Sequence, residues 1–152
     1  MTKSGRPIGV VALIAFHIFS TVIWFFGQTL AVFYFDMVAE WGLQEPRALV
    51  DPVIVEVNRA IGLVDTILML PLLVVAAIGL IGMRFYGAVA SWVVFGITLY
   101  WPSIWWASQF FYARTGITHA PMTMSGILIP GAAWIIAAWG IWYLYRNRAL
   151  FD

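Results

Sequence analysis

Four apolar stretches, each long enough to cross a bilayer, constrain this chain more than any other feature in it. About 20 helical residues, rising 1.5 Å each, cover the ~30 Å hydrocarbon layer of a membrane. The runs at residues 8–35, 60–82, 86–111 and 125–145 all reach that length. None alternates with period two, and only helices or closed barrels satisfy every backbone polar group in lipid. The pattern therefore predicts an all-α integral membrane four-helix bundle, with antiparallel up-and-down spans forming one domain over residues 1–152.

With 63% hydrophobic and 10% charged residues, the 152-residue chain lies far from soluble composition. A net charge of +1 provides no basic surface for nucleic acid. The absence of cysteine removes disulfides, thiol nucleophiles and cysteine-held metals or clusters. Two histidines, His17 in an apolar run and His119 in a loop, are too few for a multi-histidine metal or bis-histidyl haem site, so no metal or cofactor is expected. The basic start MTKSGRPIGVV resembles a signal sequence, but the apolar run behind it continues without a small-residue cleavage site and reads as a retained first span.

Orientation follows from the basic residues. Lys3, Arg6, Arg84, Arg146 and Arg148 fall on one side of the predicted spans, and Arg47, Arg59 and Arg114 on the other. The excess of positive charge places both termini in the cytoplasm. A bacterial inner membrane and the endoplasmic reticulum both fit. The outer loops are then 36–59 and 112–124. The first holds five of the seven acidic residues and is broken by Pro46 and Pro52; its segment DMVAEWGL would extend span one as an interfacial helix, and the loop would cap the bundle.

Asp65 stands inside the second apolar run, six residues before Pro71. An ionisable group at membrane depth costs about 2.5 to 3.5 kcal/mol on insertion scales, so it marks a functional site by default. In span one, His17, Ser20 or Thr21, Trp24 and Gln28 recur at helical spacing and form a polar stripe facing the bundle. Span three carries the aromatic stretch TLYWPSIWWASQFFY, which contains Thr98, Trp101, Trp105 and Gln109. Pro71, Pro102 and Pro130 interrupt three of the four spans, and such prolines bend helices and open one half of a bundle. Ala133, Ala137 and Gly140 allow close helix contact, as packing or as a dimer seam.

Antiparallel folding would bring Gln28, Asp65, Trp105, Gln109 and Ser125 to one depth, with His17 nearer the midplane. Trp24, Thr98, Trp101 and Trp134 complete the candidate ligand-binding set, and Asp65 with His17 forms the candidate catalytic pair. Apolar walls with a few convergent polar groups are the usual composition of a small-molecule site. A structural aspartate bonded to a neighbouring helix is the competing reading, with Gln28, a tryptophan indole or His17 as its donor.

The order of several short motifs resembles the EXPERA group of four-helix membrane proteins, which includes sterol double-bond isomerases and the sigma-2 receptor. These motifs are a histidine in span one (His17 in FHIFSTVIWF), the first-loop QEP of Gln44 to Pro46, the acid-to-proline spacing of DTILMLP from Asp65 to Pro71, the proline in span three and LIP at Leu128 to Pro130. The resemblance implies a ligand pocket within the bundle and an acidic ligand contact at Asp65. Two positions depart from the isomerase pattern: Thr21 stands four residues after His17, where that pattern has a glutamate, and Ser125 is the nearest polar group to its span-four asparagine.

The expected function is binding of a small lipophilic molecule, sterol-like, isoprenoid or a lipophilic amine, in an intramembrane cavity, with double-bond isomerisation as the activity such a site would support. Shifting a double bond requires a proton donor and an acceptor, the roles given to Asp65 and His17. Two other readings predict different partners. An accessory subunit would sit in a larger membrane complex, and a small transporter or channel would act as a homo-oligomer with Asp65 as its ion site.

Overall fold

The computed structural model describes residues 5–152 and contains four helices long and apolar enough to cross a membrane. They are α1 (Ile8–Glu40), α2 (Pro52–Ile81), α3 (Phe85–Thr115) and α4 (Met124–Arg146). No strand occurs among the described residues. Lys3, which contributed to the orientation argument, lies outside them.

The first two helices exceed their predicted spans, and the expected outer loop 36–59 contracts to residues 41–51. Of the segment DMVAEWGL read as an interfacial extension, Asp36 to Glu40 form the last part of α1, and Trp41 to Leu43 lie in the turn after it. The α2 helix starts at Pro52 because the Asp51 side chain accepts the Val53 N–H at 2.9 Å and proline suits a first helical position. The second loop, expected over 112–124, contracts to 116–123. Gly116 ends α3 at φ 72, a left-handed conformation that favours glycine. Thr123 opens α4 by accepting the Gly126 N–H at 3.1 Å.

Two ends of the molecule are defined by contacts. At the loop side the connections meet, with the Asp51 N–H donating to the Thr118 carbonyl at 2.8 Å. At the tail side the turn between α2 and α3 meets the residues after α4. Phe85 N–H donates to the Asp152 carbonyl at 2.7 Å, and Asp152 N–H to Met83 at 3.2 Å.

Each side has its own apolar core. The tail-side core joins Val10 and Leu13 of α1, Leu73 and Leu80 of α2, Val94 and Phe95 of α3, and Ala137 and Leu144 of α4. The loop-side core joins Ala31, Phe35 and Val38 of α1 to Ile54 and Val55 of α2, closed by Val50 and Ala120 from the loops. Lipid is as apolar as leucine, so close packing rather than water exclusion holds such helices together. The α2–α3 crossing depends on this. A Cβ on Gly79 would overlap the backbone of Gly87, so at that point the two helices touch main chain to main chain.

The small residues of α4 serve packing inside the chain. Ala137 and Gly140 are buried, and Gly140 lies under the Phe95 ring. Even so, α4 is the least covered helix, with 17% of its apolar window buried against 44% for α3.

Candidate functional site between the two cores

Both α1 and α2 change their winding at the junction between the cores. In α1 the Leu30 N–H bonds Phe25, five residues back, so Phe25–Thr29 forms one π-helical turn. In α2 the Leu70 N–H bonds Asp65 in the same way, and Asp65–Met69 forms another. Pro71 accounts for the second, since it has no N–H to donate and its ring collides with the carbonyl four residues earlier, a conflict that a wider turn relieves. Single π turns are found frequently at functional sites.

The two wide turns contact each other. Gly62 permits the approach, because a Cβ there would stand 2.9 Å from the Gln28 carbonyl oxygen. Thr66 lies within hydrogen-bond reach of both Gly62 O, at 2.7 Å, and Thr29 Oγ1, at 2.9 Å. Thr66 is the donor in both contacts, its one hydroxyl hydrogen shared between the carbonyl and Thr29.

Asp65, the first residue of its π turn, is half-buried. The Trp24 indole N–H donates to its Oδ2 at 3.1 Å. Of the three donors considered from sequence, the indole is the one that makes the bond. Trp24 in turn meets Trp101 of α3 edge to face, centroids 6.4 Å apart. An acid, its donor and a second aromatic wall thus come from three different helices. Trp105 is half-buried and would strike a Cβ placed on Gly126, so it marks where α3 supports the start of α4.

The remaining candidate residues are arranged differently from their predicted convergence. Gln28 is half-buried beside Gly62 and makes no side-chain hydrogen bond to Asp65. The Thr98 hydroxyl turns back to the Val94 carbonyl of its own helix, at 2.8 Å. Gln109 is buried, with its Oε1 unpartnered. Ser125 is exposed and shares a hydrogen bond with Thr123 at 3.0 Å, which makes it part of the α4 start. Trp134 is exposed on α4.

His17 belongs to the tail-side core. It is fully buried, stacked on Phe95 with centroids 5.1 Å apart, and its Nε2 lies 2.9 Å from Ser91 Oγ. Ser91 Oγ also lies 2.7 Å from the Gly87 carbonyl, which can only accept. The serine hydrogen therefore goes to Gly87, and His17 donates from Nε2, leaving its Nδ1 lone pair without a partner. No hydrogen bond joins His17 to Asp65; each has a different partner.

Two residues outside the predicted site hold it in shape. The Gln44 amide donates to the Gly27 carbonyl at 2.9 Å, satisfying an acceptor inside the α1 π turn. Arg59 donates through Nε and Nη2 to the Val32 carbonyl at 3.0 and 2.9 Å, next to Tyr34, whose φ of −130° and ψ of 49° break the helical path. An unpaired backbone group in lipid costs several kcal/mol, so these contacts make the irregular winding tolerable. A polar Gln44 two residues before Pro46 and an arginine at the edge of an apolar run were visible in the sequence, but nothing there indicated which carbonyls they serve.

Two concavities among those of the described residues are of similar size. One, about 350 Å³, follows the α1 bend and is lined by Phe33, Tyr34, Asp36, Arg47 and Arg59 among others. The other, about 370 Å³, lies at the tail side against Tyr145, Arg146, Arg148 and Ala149. Asp65 lines neither.

No protein-family model, curated protein or solved structure matches the chain.

Proposed function

We propose that this is an integral membrane protein that binds a small lipophilic molecule at the level of Asp65, between the two cores. The antiparallel arrangement with both termini cytoplasmic is part of the same reading, supported by the basic residues and by the meeting of the loops at one end. The observation that carries the ligand reading is the half-buried Asp65 carboxylate, which receives an indole hydrogen bond from Trp24, a ring that itself meets Trp101. Such a carboxylate has acceptor capacity left over for a hydroxyl or an ammonium group. Tryptophan faces also suit a cation or a flat apolar skeleton.

Binding is better supported than isomerisation. A double-bond shift requires a proton donor and an acceptor on one substrate, whereas His17 is bonded to Ser91 in the tail-side core and Asp65 to Trp24. The likeness to the EXPERA group supports the same reading through the DTILMLP motif, in which the acid and the proline form and follow one π turn.

The test is native mass spectrometry with lipid extraction on purified wild type and Asp65→Asn. Wild type should retain one specific lipophilic species. Losing a charge-assisted hydrogen bond, about 1.5 to 3 kcal/mol, should lower its retention roughly tenfold to a hundredfold in the variant. Absence of any such species from wild type, or equal retention in both proteins, would overturn the proposal.

A second reading rests on α4, whose apolar surface is mostly uncovered. As an accessory subunit the chain would place that face against another membrane protein, and gentle extraction would recover a stoichiometric partner that Asp65→Asn does not displace.

A further inference from the structure

The tail side differs electrostatically from the loop side. All ion pairs among the described residues belong to the loop side: Arg47 with Asp36 and Glu56, and Arg59 with Glu56. Arg146 and Arg148 form none, yet both line the 370 Å³ concavity. Asp152 is the one carboxylate side chain in the described tail-side segments, against Arg6, Arg84, Arg146 and Arg148.

These arginines are held on a folded segment. The Asn147 amide donates to the Tyr143 carbonyl at 2.8 Å, Phe151 is buried in the tail-side core, and the Asp152 backbone bonds Met83 and Phe85. The Arg148 guanidinium lies over the Tyr145 ring, 4.9 Å from its centroid, which leaves its N–H edges outside the stack. Tyr145, and Trp142 three residues before it on α4, are each 59% exposed, as aromatic residues are at a membrane interface.

We propose that Arg146 and Arg148, with Tyr145 as a platform, seat the phosphate of one anionic phospholipid. Guanidinium forks match phosphate oxygens, and basic concavities at the cytoplasmic ends of membrane helices suit acidic headgroups. The charge complementarity calls for an anion, and the flanking exposed rings call for one that carries acyl chains. Because the segment is already tied down, little ordering accompanies binding. This site is separate from the Asp65 level and stands or falls independently of it.

The experiment titrates the full-length protein in neutral detergent with phosphatidylglycerol, phosphatidylcholine or inorganic phosphate, and reads bound lipid by native mass spectrometry. One phosphatidylglycerol should be retained in preference to phosphatidylcholine. Arg146→Gln and Arg148→Gln should each weaken retention about fivefold, the effect of one cation near an acidic headgroup. Arg84→Gln makes the same charge change on the same side and should leave retention as in wild type. Circular dichroism verifies that each variant keeps its helices, and Arg148→Lys, which keeps the charge and loses the fork, should fall between wild type and Arg148→Gln. Equal retention of the two lipids, an equal loss in Arg84→Gln, or displacement by millimolar inorganic phosphate would each overturn the proposal.

Discussion

At the scale of single residues, the chain shows how polar groups are accommodated among apolar ones. Asp65 receives an indole hydrogen, the Thr66 hydroxyl donates to Thr29 and to a carbonyl, and Ser91 lies between His17 and Gly87. Glu45, in the loop between α1 and α2, is treated differently. Burial raises its carboxyl above the ordinary value of 4.5, and nearby His119 offsets part of that rise. A raised carboxyl favours the protonated form in the folded state. Its contribution to stability is therefore complete below the ordinary value and is lost as pH rises through the folded one. The loop cap should loosen between acidic and neutral pH, with faster amide exchange over residues 44–50. In Glu45→Gln the exchange at neutral pH should slow and this dependence should flatten; an unchanged profile would remove Glu45 as the cause.

At the scale of elements, the four helices were legible because apolar runs of this length have few alternatives. Their boundaries were less so. The α2 start depended on the Asp51 cap and on Pro52, a residue read from sequence as a loop breaker that is in fact a helix opener. The paired π turns were not legible, since an N–H reaching five residues back leaves no periodic trace in composition. Pro71 was a sign for one of them, but Phe25–Thr29 contains no proline. In the candidate site, Trp24, Asp65 and Trp101 come together, while Ser125, expected there from equal depth in antiparallel spans, and Thr98 bond locally instead, as short hydroxyl side chains readily do. The α1 turn also yields a prediction. Gln44→Ala leaves the Gly27 carbonyl without its donor, and an orphaned polar group of this kind costs about 1 to 3 kcal/mol. Unfolding in mixed detergent should shift by that amount relative to wild type, whereas Gln44→Glu, which cannot donate when ionised, should behave like alanine.

At the scale of the whole molecule, the proposed orientation has a direct readout because the chain has no cysteine. In intact cells or sealed vesicles, a membrane-impermeant thiol reagent should label Thr118→Cys only from outside and Ala149→Cys only from the cytoplasm; the opposite pattern would invert the topology. Both positions are exposed and lie at opposite ends of the structure.

The closure of the tail side also has a temporal aspect. The Phe85 N–H, one of the donors left open at the start of α3, takes its hydrogen bond from a residue that the ribosome supplies only after all of α4. While a chain is being made, that donor and the pocket awaiting Phe151 stay unfilled. Closure of the tail side by Phe151 and Asp152 therefore has to follow the synthesis of α4.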